Sequence, residues 1–172
     1  MFFAQQGGDG LEIPAFDVNV LTDGTVYEGA IVVFKPQNAN VYFDTTSGRT
    51  TLRGIVLAAG ELPRSSYVCG VALEDGSAGD NVKVRIQGAV KAKVSGTDPV
   101  AAGDGLTLST TTALLAPAGD KSTSGAAASQ GFRYLAWVLT GFTPTGGNAV
   151  TASKTDVLFN GFGWDGDEYT EL

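Results

Sequence analysis

From Val82 to Val94 the chain alternates: apolar side chains fall at 82, 84, 86, 90, 92 and 94, and basic or polar ones at 83, 85, 87, 91 and 93. A period of two predicts a strand with one buried and one wet face. The phase survives Gly88, so the run reads as one long bent strand rather than a hairpin. A glycine inside a strand marks a bulge or sharp bend. The wet face carries Lys83, Arg85, Lys91 and Lys93, four of the chain's 11 basic residues.

Shorter runs predict further strands at 25–27 or 30–34, 40–44, 54–58, 66–73, 106–108 and 155–160. The stretch 132–139 is nearly continuous in apolar character. It predicts a strand buried on both faces or covered by a neighbouring subunit. Residues 1–20 read as irregular or extended, and 119–131 and 142–148 as loops, with one helical turn at 126–128. Ala-Gly-Asp recurs at 78–80, 102–104 and 118–120. Glycine supplies positive φ and Asp closes the turn on its own backbone, which predicts structural corners. All six prolines fall between the predicted strands. No stretch holds a capped 3.6-residue period.

The fold expected is therefore all-β: a small β-barrel or sandwich with extended N- and C-terminal arms. The divisions expected are an N-terminal arm at 1–24, a β-barrel domain at 25–160 and an aromatic, acidic tail at 161–172. Composition agrees. The 24 glycines among 172 residues are about twice the average share. A hydrophobic content of 43% is enough to offset the entropy of ordering.

Charge and chemistry narrow the function. A formal charge of -7 disfavours nucleic acid as main partner. No segment is long and apolar enough to span a membrane. The start has neither the basic region nor the apolar core of a signal peptide. Cys69 is the single cysteine, which leaves no intramolecular disulfide and reads as a buried, inert thiol. The chain has no histidine, so the commonest general base and metal ligand are missing. Glu74-Asp75 reads as a solvated turn, and Asp165-Gly166-Asp167-Glu168 departs from a calcium loop after its fourth residue. The expectation is no enzyme, no metal and no cofactor.

What remains points to contact with other proteins. Phe2 and Phe3, followed by a Gly/Gln stretch, read as a docking arm or a frayed terminus. Phe159, Phe162, Trp164 and Tyr169 crowd the C-terminal region. They close the domain's own core or anchor in a neighbouring chain. Lys83, Arg85, Lys91 and Lys93 face the acidic tail of the same or a neighbouring subunit, an acidic partner, or solvent. The candidate interface is thus Phe2, Phe3, Lys83, Arg85, Lys91, Lys93, Phe162, Trp164 and Tyr169.

The order of pieces across 66–108 resembles the tailed-phage capsid decoration (cement) proteins. The pieces are Cys69-Gly70-Val71-Ala72-Leu73-Glu74-Asp75, Ala78-Gly79-Asp80-Asn81-Val82-Lys83-Val84, Gln87-Gly88-Ala89-Val90 and Val100-Ala101-Ala102-Gly103-Asp104. A weaker echo lies at 133–139 and 155–160, while 109–131, 140–154 and the tail depart from the pattern. The resemblance implies a small β-barrel, often trimeric, on the outer surface of a phage head. There it would bind the major capsid protein and hold neighbouring subunits together. The alternative is a host-facing head fibre or glycan-binding β-domain.

Overall fold

The alternating run at 82–94 becomes a single strand of 13 residues, as its unbroken phase predicts. The computed structural model describes residues 14–34, 41–44, 49–54, 68–109, 114–117 and 133–165, with no helix among them. Ten strands lie within these segments: β1 (Phe16–Thr22), β2 (Ile31–Phe34), β3 (Val41–Asp44), β4 (Arg49–Gly54), β5 (Val68–Ala72), β6 (Asn81–Lys93), β7 (Gly105–Leu108), β8 (Leu115–Pro117), β9 (Arg133–Val138) and β10 (Lys154–Asp165).

They form one sheet in the order β3-β4-β1-β6-β10-β9-β7-β8, with β5 joining β2 to β6. Most pairs are antiparallel; β1 and β4 run parallel. The path nearly closes on itself. Leu115 of β8 bridges back to Val94 at the end of β6, and the Ser95 amide donates to the Leu115 carbonyl at 2.7 Å. The protein is therefore an all-β, nearly closed barrel.

β6 is the backbone of this arrangement because it changes partner at its bend. Its residues 81–87 pair with β1, and 87–93 pair with β10. Gly88 sits at the change with φ 114°. The chain crosses it closely: a Cβ there would stand 2.9 Å from the Ala15 Cα and 3.1 Å from the Pro14 carbonyl oxygen. An L side chain fits neither the dihedral nor the space.

The two halves of β6 serve two cores. Val82, Val84 and Ile86 pack with Val20, Val26, Val32 and Ala72. Val90 and Ala92 pack with Leu106, Leu135, Val157, Phe159 and others. β2 lies between them, with Val32 in one cluster and Ile31 and Val33 in the other. That explains why its sequence is apolar without alternation. Phe159 has no exposed surface; burying such a side chain contributes about 1.5–3 kcal/mol.

Three corners share one hydrogen-bond pattern. The Thr22 amide donates to the Asp80 carbonyl at 3.0 Å, and the Gly79 amide returns to the Thr22 carbonyl at 2.7 Å. Ala72 with Ala30 and Gly29 repeats this at 2.9 and 2.8 Å, and Val138 with Asp104 and Gly103 at 2.9 and 2.8 Å. Gly29, Gly79 and Gly103 have φ of 84°, 89° and 92°. The first two corners are related by a shift of 50 residues, since 72 − 22 and 79 − 29 agree. They meet at reciprocal bonds between Val26 and Gly76. The strand registers obey the same shift: Val20 faces Val82 while Gly70 faces Val32. β1–β2 and β5–β6 are thus two copies of one unit around a local two-fold.

The Ala-Gly-Asp corners form as expected at two sites. Asp80 Oδ2 accepts from the Ser77 amide at 2.7 Å, and Asp104 Oδ2 from the Ala101 amide at 2.8 Å. The third corner, the loop at 119–131 and the expected helical turn at 126–128 lie outside the described residues.

Several strand expectations need correction. Residues 16–22 form β1 inside the sheet, the extended of the two courses read for 1–20; Phe16-Asp17-Val18-Asn19-Val20 alternates as a strand does. β10 continues to Asp165, so strand pairing runs past residue 161, where the tail was expected to begin. Pro117 ends β8 opposite Leu106 rather than lying between strands. β8 stands at the end of the strand order, and an edge strand tolerates proline where a central one does not. β4 covers 49–54, and the strand expected at 54–58 falls mostly outside the described residues. β9 is buried on both faces at its centre, with Leu135 and Ala136 in the core, while Leu139 just beyond it is 45% exposed.

Candidate functional site

Alternation puts residues 83, 85, 87, 89 and 91 of β6 on the outer side of the sheet, and the flanking strands extend that surface. Cross-strand register sets out its rows. Asn19 lies beside Lys83, and Asp17 beside Arg85. Phe16 and Asn160 flank Gln87, Leu158 lies between Ala89 and Trp137, and Asp156 lies beside Lys91.

Two cations of the basic stripe, Arg85 and Lys91, are answered within the sheet. Arg85 Nε lies 2.7 Å from Asp17 Oδ1, and its Nη2 lies 3.1 Å from Oδ2. Arg85 Nη1 also donates to the Ala89 carbonyl. The hydrogen bonds from Arg85 hold the Asp17 carboxyl below its ordinary value, and Asp17 in turn raises the guanidinium. Lys91 Nζ lies 3.1 Å from Asp156 Oδ1. Both partners are well exposed, so this pair is worth little in stability. Lys83 is exposed, and its backbone amide donates to Glu74 Oε1 at 2.7 Å.

Lys93 departs from the expectation of a wet face. It is 6% exposed. Its ammonium donates to the Ala149 carbonyl and, at 3.1 Å, to the Val150 carbonyl. It also lies 5.6 Å from the centre of the Tyr27 ring. Burial lowers its pKa, and neighbouring Lys154 adds to the effect. The physical reason is the loop at 146–151, which folds over the end of β6 and takes the cation as its clasp. Lys93 is a structural residue and does not belong to the outer surface.

With Arg85 and Lys91 paired, Lys93 withdrawn and Lys83 exposed, the outer surface is marked by apolar side chains. Phe16 is 54% exposed and Phe162 57% exposed, with Leu139 close to the β10 strand through its amide bond to the Asp156 carbonyl at 2.9 Å. Leu158 and Trp137 between them are half-buried. Trp137 stacks on Tyr134 with centroids 5.2 Å apart.

Phe162 is presented by an irregularity. Phe159 pairs with Ala136 and Trp164 with Tyr134, so β10 advances 164 − 159 = 5 residues while β9 advances 136 − 134 = 2. The surplus residues leave the ladder as a bulge. Asn160 Oδ1 accepts from the Phe162 amide at 3.2 Å and shapes it. The signal was present in Asn160-Gly161-Phe162-Gly163, where two glycines bracket one aromatic. Phe16 opens an alternating run, Phe16-Asp17-Val18-Asn19-Val20, that marks a strand, but its exposure goes with a register shift between Phe16 and Asp17 that no local pattern reports.

Of the other expected interface residues, Trp164 pairs in the ladder with Tyr134, and Phe2, Phe3 and Tyr169 lie outside the described residues. Cys69 pairs with Val33 through its backbone, and the surroundings of its thiol lie outside the description. Glu74 and Asp75 do more than face solvent: Asp75 Oδ1 accepts from the Glu28 amide at 2.7 Å, so both carboxylates hold backbone donors of neighbouring segments. Among the described residues no group of three or more His, Cys, Asp or Glu is placed to hold a metal ion.

No protein-family model and no curated protein matches this sequence. Among solved structures, the chain is similar in shape to the head fiber gp8.5 N base of bacteriophage phi29, with a TM-score of 0.48 and 14% identity over 88% of this chain and 99% of that one.

Proposed function

We propose that this protein is a structural component of a phage head, a decoration or cement protein. In this reading it sits on the outer capsid surface, binds the major capsid protein as a homotrimer, and stabilises contacts between neighbouring capsid subunits. It makes and breaks no bond. The sequence resemblance across 66–108 supports the assignment. The observation that carries it is the outer face of the sheet: exposed Phe16, Leu139 and Phe162 on a nearly closed barrel, flanked by the Arg85–Asp17 and Lys91–Asp156 pairs. A rigid scaffold with an apolar centre and polar rim is how a protein surface binds another. Several copies acting together make modest contacts sufficient.

One observation favours the alternative of a head fibre or glycan-binding domain. Phe162 stands out on a bulge, and an exposed aromatic ring is a surface on which a sugar can stack. Co-sedimentation separates the two readings. A cement protein pellets with expanded heads and leaves host cells and sugars unbound. A fibre or lectin retains cells or sugars and leaves heads no more stable. Failure to pellet with heads rules out the first reading.

A further inference from the structure

We propose that Asn160 is a site of spontaneous deamidation: the Gly161 backbone nitrogen attacks the Asn160 side-chain amide, and the chain gains a carboxylate at the β10 bulge. The proposal stands apart from the role given above and does not depend on head binding.

The sequence singles out the position. The chain has six asparagines, at 19, 38, 40, 81, 148 and 160, and only Asn160 precedes a glycine. A glycine has no Cβ to crowd its own nitrogen, and its backbone has the widest choice of dihedrals, so that nitrogen can swing onto the preceding side chain. Asn19 and Asn81 precede Val20 and Val82, which are stiff at Cβ and buried.

The fold adds geometry. Asn160 Oδ1 accepts from the Phe162 amide at 3.2 Å. The side chain is therefore folded forward over the peptide that follows it, with its amide carbon on the side from which the Gly161 nitrogen approaches. Holding two reacting groups together in this way lowers the entropic part of the barrier. Asn148 is the internal comparison. Its Oδ1 accepts from the Val150 amide at 2.9 Å, the same kind of turn, but Ala149 follows it.

The surrounding register is broken twice. Asn160 and Phe16 flank Gln87, β1 pairing shifts between Phe16 and Asp17, and β9 pairing shifts between Phe159 and Trp164. Gly161 is buried, so its amide proton leaves during local opening, which a broken register favours. Asn160 is half-buried and Phe162 exposed, so water reaches the turn.

The reaction needs only water. The Gly161 nitrogen gives its proton to solvent and bonds to Asn160 Cγ. The Cγ–Nδ2 bond breaks, and Nδ2 takes up a proton and leaves as ammonia. The cyclic imide then takes up one water. Opening on one side gives aspartate; opening on the other gives isoaspartate, whose main chain runs through the former side chain. Either product carries a carboxylate, so the formal charge moves from -7 to -7 − 1 = -8. Isoaspartate also lengthens the backbone in the turn that presents Phe162.

Peptide mapping by mass spectrometry tests this on the full chain, incubated at mildly alkaline pH both native and unfolded in urea. The native protein should lose the Asn160 amide, with matching gains of aspartate and isoaspartate, at a rate within about tenfold of the unfolded chain. Asn148 should lag behind. Gly161→Ala should slow the loss at 160 by about tenfold or more. A native chain that keeps the Asn160 amide while the unfolded chain loses it overturns the proposal, because the bulge then protects the residue. Asn148 reacting first, or a well-folded Gly161→Ala variant reacting at the parent rate, overturns it too. If Gly161→Ala fails to fold, the comparison of native with unfolded parent decides alone.

Discussion

Arg85 grips Asp17 across the β1–β6 seam with two parallel bonds, Nε to Oδ1 at 2.7 Å and Nη2 to Oδ2 at 3.1 Å. A two-pronged pair fixes geometry as well as adding energy. The Asp17 carboxyl is held below its ordinary value. Such a group adds stability above its unfolded pKa and loses it as pH falls through the lower folded value. Asp17→Asn should therefore lower stability by about 1 kcal/mol at neutral pH. The gap to the parent should close in strong acid. Urea midpoints at about pH 7 and pH 2 check both parts.

Gly88 should resist any side chain. Its φ of 114° and the 2.9 Å approach of Ala15 act together. Gly88→Ala should cost about 1–3 kcal/mol. In a chain of this size that lowers the melting temperature by about 2–4 °C for each kcal/mol.

The related corners should respond unequally. Gly29 and Gly79 share nearly the same φ, so alanine strains both by about 1 kcal/mol. A Cβ at 79 meets nothing within 4 Å, whereas one at 29 meets Lys93 Cγ at 3.2 Å and the Lys91 carbonyl at 3.4 Å. Gly29→Ala should be the more destabilising of the two in a denaturant series. Equal losses would mean that only the dihedral matters.

Lys93 should behave as a core residue. Lys93→Met keeps the apolar stem and removes the donor to the Ala149 and Val150 carbonyls. A loss of about 1–3 kcal/mol is expected. A solvated lysine would change stability by no more than about 0.5 kcal/mol, which thermal melts can resolve.

Much of this architecture could be read from period alone. The phase of 82–94 predicted a single bent strand, and the Asp side chains of two Ala-Gly-Asp turns close on their own backbones as expected. The internal two-fold was hidden. Between 18–34 and 68–84 identities occur at Val18/Val68, Gly29/Gly79 and Val32/Val82, because a strand corner demands backbone geometry and one glycine rather than particular side chains. The site was legible in part. Alternation put Lys83, Arg85 and Lys91 on the outer face, but Asp17 and Asp156, the partners of Arg85 and Lys91, come from distant segments, and no local pattern reports cross-strand register. Lys93 keeps the polar phase of the strand and yet is buried, since the loop that covers it lies more than fifty residues later. The bulge that lifts Phe162 arises from a mismatch between β9 and β10, a property of the pair and of neither strand alone.

Heat disruption of expanded heads, with and without this protein bound, tests the central claim most directly. Heads carrying it should break at a higher temperature, and the increment should disappear with Phe162→Asp if that face makes the working contact. Heads that break at one temperature whether or not the protein is bound would contradict a cementing role.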